Sequence, residues 1–303
     1  MPEARRQPQH EPTIMAPRPP RGRMVFSAGM VAIGAVLVTM YIDSSRRSHE
    51  ASFLAAPPVE ALEIQEDEVL RGTAATRFCT LLLEQACAKL AAYDDMSATF
   101  HRQERLDGML AEPNVMQLKV RNAPYSVFAR WTTPHEGREI IWRPDANDGM
   151  IMVYPGGPRA WLLPLVKVDP FGDQAMSENR RPVSELGIWN FADRLLEGRR
   201  LDLAEPRVDA WMTQDQRIAN RDCYSFTFLT PEHTVTARNY KTVIFIDRET
   251  ELPLGCQLFG WPENDGDDPP LEESYLFEDL EMGAGLTDLA FDVDNPAYHF
   301  GKR

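Results

Sequence analysis

At 303 residues, 43% of them hydrophobic, the chain is long enough to bury a sizeable core in one or two domains. The net charge is −14; residues 1–23 hold five Arg and two Glu, +3, so the remainder holds −17. An acidic bulk of that size repels phosphate backbones, so no nucleic-acid partner is expected.

The first feature after the basic tail of residues 1–23 is Met24–Ile42, MVFSAGMVAIGAVLVTMYI, which carries no charge. As a helix it spans about 28 Å, close to the hydrocarbon thickness of a bilayer. The run exceeds the roughly 7–15 residues of a signal-peptide core and lacks a small-x-small cleavage pattern. No cysteine follows it to mark a lipoprotein site. A retained transmembrane helix over 24–42 is therefore expected. Arg5, Arg6, Arg18, Arg21 and Arg23 precede it, against Arg46 and Arg47 after it. That bias places the amino terminus in the cytoplasm and the carboxyl-terminal domain on the far side. Residues 43–72, with Pro57, Pro58 and a series of acids, read as a polar tether.

From Ala75 to Tyr93 apolar residues recur at three- and four-residue spacing (Phe78, Leu82, Leu83, Ala86, Leu90), which predicts an amphipathic helix. The period then changes to two: Met116, Leu118 and Val120 alternate with Gln117, Lys119 and Arg121. Asp107-Gly108 predicts a tight hairpin ahead of that strand. Further strands are expected at about 124–132, 137–144, 149–155 and 160–168, with spacings too short for parallel crossovers. A second helix is expected at about 185–199, capped by Ser184 and ending near Gly198. Strands resume at about 206–219, 222–230, 235–247, 252–261 and 271–281, and Pro253 opens one where no ladder donor is needed. Glu263–Pro270 reads as a solvated acidic loop. The aromatic tail Phe291, Tyr298, Phe300 is expected to dock rather than hang free.

Chemistry-bearing constellations are scarce. The six histidines show no metal-binding spacing, and no Gly-x-Ser-x-Gly, P-loop or Cys–His pairing occurs. No catalytic, cofactor or metal residues are therefore expected. Asn179-Arg180-Arg181, beside Asp169, Asp173 and Glu178, reads as an ion-pair knot rather than a catalytic cluster. Cys79 and Cys87 are about 12 Å apart along a helix, and a whole strand separates Cys223 from Cys256, so four free thiols are expected. The strongest signal is apolar. Strand 124–132 places Tyr125, Val127, Ala129 and Trp131 on one face and Phe128 on the other, and strand 149–155 is apolar on both faces.

Several motifs agree in order with one family. QERLDGML (103–110), LKVRNAPYSVFARWTTPHEGREIIW (118–142), ENRRPVSELGI (178–188) and GLTDLAFDVDNPAYHF (285–300) resemble a bacterial domain family of unknown function, number 1571. The hairpin IFIDRETELPL (244–254) is similar to one in the LolA/LolB-like lipoprotein carriers. The resemblance implies a mainly β (α+β) domain over residues 73–303: a curved, incompletely closed antiparallel β-barrel covered by helices. The expected strands number about eleven. It also implies an apolar interior and brings no catalytic residues. The expected cavity is lined by Trp142, Met152 and Trp161, with Trp189 on the helix across its opening. The function this supports is non-catalytic binding of an apolar ligand, a lipid or a lipoprotein acyl chain, by a periplasmic domain anchored in the bacterial inner membrane. The alternative is a structural or protein-interaction module of the envelope with a filled core. The arginine bias makes the topology testable. A phosphatase fused after residue 303 is expected to be active outside the inner membrane, and activity confined to the cytoplasm would reverse the orientation.

Overall fold

The computed structural model describes residues 68–301, apart from 159, 205, 206, 231, 233–238 and 265. The basic tail, the expected span 24–42 and most of the tether lie outside the described residues. Among those described, no helix is long and apolar enough to cross a membrane.

Among the described residues the sheet has thirteen antiparallel strands rather than about eleven. They are β1 (Glu68–Arg71), β2 (Asp95–Leu106), β3 (Met109–Leu110), β4 (Asn114–Arg121), β5 (Ser126–Thr133), β6 (Glu139–Trp142) and β7 (Ile151–Tyr154). There follow β8 (Val166–Val168), β9 (Asp209–Ile218), β10 (Arg221–Leu229), β11 (Lys241–Asp247), β12 (Pro253–Phe259) and β13 (Leu271–Met282). The spatial order is β1-β9-β10-β11-β12-β13-β2-β4-β5-β6-β7-β8, with β3 paired to β2 alone. The additional strands are short. One is β1, within the stretch expected to be tether; the other is β3, the return arm of the Asp107-Gly108 hairpin. Both turn residues have positive φ, 49° and 79°, as the type I′ geometry demands. The strand expected over 160–168 shrinks to β8 after a 3-10 turn at Ala160–Leu162. Pro155, Pro158 and Pro164 remove ladder donors from that stretch.

Among the described residues three α-helices accompany the sheet: α1 (Gly72–Leu90), α2 (Asp173–Met176) and α3 (Ile188–Ala204). The expected boundaries of α3 are corrected at both ends. Ser184 lies in a 3-10 turn, Val183–Glu185, and the helix begins only after Gly187, whose φ is +99°. A Cβ there would also stand 3.1 Å from Val120 Cγ1, so this site calls for glycine. The helix then runs through Gly198 instead of stopping. Glycine costs about 1 kcal/mol in a helix interior, and burial of Leu195, Leu196 and Arg199 around it outweighs that.

Laid flat, twelve neighbouring strands would spread over roughly 50 Å at normal spacing, too wide for two helices to cover. The sheet curls instead. Residues from both of its halves, Val120, Trp142 and Val153 from one and Met212, Phe226 and Ile244 from the other, join one core with Leu83, Ala86, Phe191 and Leu195 of α1 and α3. The Trp189 indole N–H donates to the Leu90 carbonyl at 2.9 Å, tying the end of α1 to the start of α3. Between the outermost strands β1 and β8 the described sheet stays open.

All four cysteines are free. Cys223 on β10 and Cys256 on β12 flank β11, as the meander requires. Burial pushes the Cys79, Cys223 and Cys256 thiols up to about 12 and that of half-buried Cys87 to about 11. Native alkylation without reductant is therefore expected to be slow and to mark Cys87 first, with all four labelled after denaturation. A mass showing fewer than four labelled thiols would contradict this strand order.

Candidate functional site

Antiparallel register propagates one face of β5 across its neighbours. Ala129 opposes Ile140, which opposes Val153, while Phe128 opposes Ile141, which opposes Met152. The first set faces inward. Over it lies a strap, residues 169–187, that carries α2 and the turn Val183–Glu185. Between sheet and strap remains a cavity of about 100 Å³. Its sheet wall is apolar: Phe100, Met116, Trp131, Ile140, Ile151 and Val153. Pro170, Val183 and Leu186 of the strap and Phe191 of α3 face them.

One end of the cavity is charged. Glu104 on β2 and Glu273 on β13 are directly opposite each other, 4% and 5% exposed. Adjacent buried carboxylates repel, so each needs its own partners. Glu104 accepts from the Tyr275 hydroxyl and, at 3.1 Å, from the Arg180 backbone N–H, with Arg102 Nη1 at 3.7 Å. Glu273 takes Arg180 Nε at 3.2 Å and Arg181 Nη2 at 3.1 Å. Burial, then the Glu273 and Glu104 charges, hold the Tyr275 phenol well above its ordinary range, so it stays a donor. Burial lowers Arg181, but Glu273, Tyr275 and Glu185 together more than offset this and raise it. Arg194 is lowered, by burial and then by Arg181. Arg102 also donates to Asn179, Arg138 pairs with Glu178 at 2.8 Å, and the Tyr125 hydroxyl donates to the Leu186 carbonyl. The Asn179-Arg180-Arg181 segment is thus an ion-pair knot that fastens the strap to the sheet.

The four residues expected to line the cavity are dispersed. Trp142 faces inward at 5% exposure, but it belongs to the packed core and donates to the Gly149 carbonyl. Met152 takes the opposite face, as its pairing with Ile141 dictates, and packs with Phe128, Phe291, Tyr298 and Phe300. Trp189 is half-buried against the helices. None of these three is among the cavity-lining residues. Trp161 lies in the turn Ala160–Leu162, and its side chain is outside the described structure. Sequence reasoning missed Ile140, Ile151, Val153 and Arg194. The signal for the first three was present: the face of Val127, Ala129 and Trp131, carried through the register. Among the described residues no cluster of three or more His, Cys, Asp or Glu could hold a metal.

A model of the family described as protein of unknown function, DUF1571, matches residues 93–300. The chain belongs to this family. A search of curated proteins finds no match. Among solved structures, the lipoprotein LppX of Mycobacterium tuberculosis matches with 11% identity over 71% of this chain and 99% of its own, at a TM-score of 0.41. LprF from Mycobacterium bovis gives 12% identity, 70% and 95% coverage, and 0.40. A LolA superfamily protein from Nitrosomonas europaea gives 11%, 71% and 97%, and 0.27. The family expected from the motifs is the one found, and a LolA superfamily chain is among the structural matches. The fold description itself stands on strand order and register.

Removing one charge from the knot weakens its neighbours' pairing. Glu273→Gln is expected to destabilise the DUF1571 domain by about 1–3 kcal/mol, because it removes the nearest counter-charge of Arg181 and leaves Arg180 with Glu272 alone, at 2.7 Å. Asp148→Asn, whose pair with Lys167 is exposed, is expected to cost less than about 0.5 kcal/mol. Urea unfolding midpoints at constant slope compare the two, and equal shifts would mean the knot is not a buried network.

Proposed function

We propose that this is a non-catalytic binding domain of the cell envelope that takes the apolar chain of a lipid, or of a lipoprotein acyl group, against the inner face of β5–β7. One observation carries the reading: an apolar cavity lies between the sheet and a strap held to it by side chains. Fastening by side chains allows the strap to lift without unzipping a ladder. At about 100 Å³ the cavity is smaller than the roughly 300–1,000 Å³ of common ligand pockets, so a chain enters by displacing the strap. The strap's own apolar residues, Pro170, Val183 and Leu186, mark the surface that the ligand takes over. The membrane side of the proposal rests on the sequence: residues 24–42 anchor the protein in the bacterial inner membrane and the domain stands in the periplasm. The small cavity also favours a second reading, an envelope interaction module with an almost filled core that works through its surface.

A fluorescent fatty-acid probe separates the two. The full-length protein is expected to bind it. Val153→Phe, which grows into the cavity, is expected to keep the melting temperature and lose most of the probe. The same change at Val127, fully buried and away from the cavity, is expected to cost about 1–3 kcal/mol through overpacking. Wild-type protein that never binds the probe would leave the interaction-module reading.

A further inference from the structure

The charged end of the cavity has more cation than it uses. Arg181 and Arg194 both line the cavity. Among the described residues Arg194 reaches only Glu185: its Nη1 lies 3.5 Å from the Glu185 carbonyl and 3.6 Å from the carboxylate. Arg181 Nη1 lies 3.5 Å from that same carboxylate. These distances exceed the roughly 2.7–2.9 Å of a charge-assisted hydrogen bond. The Arg181 Nε–H is buried and has no hydrogen-bond partner among the described residues. The Arg181 side chain as a whole is 34% exposed, so it is this one buried donor that is short of a partner, and native structures seldom keep such a donor without a reason.

The other acids at this end are already engaged. Glu178 pairs with Arg138, Glu104 with Tyr275, Arg102 and the Arg180 N–H, and Glu273 with Arg180 and Arg181. Glu185 remains, a loosely held carboxylate between two guanidiniums, and its side chain is 41% exposed. Burial, then the Arg181 charge, lowers the pKa of Arg194 while Arg181 itself is raised, so the shortage of counter-charge falls on Arg194.

We infer that Arg194 and Arg181 receive the anionic head of a single-chain amphiphile whose tail lies on the apolar wall, and that Glu185 is the internal anion this head displaces. The inference rests on the apolar-ligand reading above and adds the chemistry of the head. A carboxylate or a phosphate suits the planar fork of arginine equally well in kind. Glu185 stands on the strap turn Val183–Glu185, so its displacement and the lifting of the strap are one event.

The test uses the full-length chain in nanodiscs and three photoactivatable probes of equal chain length: a fatty acid, an alkyl phosphate and the alcohol, with cross-links mapped by peptide mass. The wild type is expected to label on the cavity wall with either anionic probe, at concentrations about tenfold below those the alcohol needs. The better of the two anions identifies the head. Arg194→Gln should bring the anions down to the alcohol and leave the alcohol unchanged. Glu185→Gln keeps both arginines and should tighten the anions severalfold, an outcome that stands even if the Arg194 variant folds poorly. Equal labelling by all three probes, or no gain in Glu185→Gln, overturns this inference while leaving apolar-chain binding intact. No labelling of the cavity wall by any probe overturns both.

Discussion

Strands β5, β6 and β7 are apolar on both faces, and this demand for two coverings governs the rest of the fold. Exposed apolar surface costs about 25 cal/mol per Å². The inner face is covered by α1, α3 and the strap. Both long helices are thereby used up, so the outer face has to find its cover elsewhere. It finds it in the tail: Phe291, Tyr298 and Phe300 close over Phe128, Ile141 and Met152, with the Tyr298 ring stacked on Phe128 at 4.0 Å. Glu139, fully buried on β6, fixes the tail's position by accepting both the backbone N–H of His299, at 2.8 Å, and Arg130 Nε, at 2.7 Å. Residues 291–300 are therefore a structural wall and not an appendage.

The strap obeys different physics. Its apolar contribution is modest, and charge pairs set its position. Buried ion pairs contribute little net stability once desolvation is counted, yet losing one partner is expensive. A segment held in this way is well specified without being strongly stabilised. The Glu104–Glu273 pair makes the point: two like charges on neighbouring strands are tolerable only while Arg102, Arg180, Arg181 and Tyr275 surround them. The strap supplies two of those arginines, so the sheet requires the strap as much as the strap requires the sheet.

Much of this was legible in the residues. The Asp107-Gly108 turn, the Pro253 strand start, the α1 stripe and the inward set Val127, Ala129, Trp131 follow from local rules that tertiary structure did not override. What escaped was long-range. Trp142 and Met152 are both expected on the concave face of the curled sheet, yet the pairing Ile141–Met152 puts them on opposite sides. A hairpin's register depends on its turn, and the turn Asn147–Gly149, a 3-10 turn with Asp148 at a φ of 62°, has no local pattern that fixes it. Strand β1 escaped because four residues next to an acidic stretch carry no periodicity; β9 selects them. The charged end was visible as Asn179-Arg180-Arg181, but its partners come from β2 and β13, far away in the chain.

Curl, strap and charged end together imply how any occupant would compete. A chain entering between the strap and the sheet exchanges one apolar contact for another, since it takes the place of Pro170, Val183 and Leu186 on the same wall. Such an exchange yields little net free energy, because the strap's burial is lost as the ligand's is gained. Discrimination must then come from the polar end, where the contacts differ in kind. A neutral head there would leave Arg194 and the Arg181 Nε–H as they are, and would gain nothing for opening the strap. An anionic head would engage both arginines as it displaces Glu185 to solvent, where a carboxylate is well hydrated. On the proposed reading, the apolar wall sets what class of molecule fits, and the arginines set which member of that class is worth opening for.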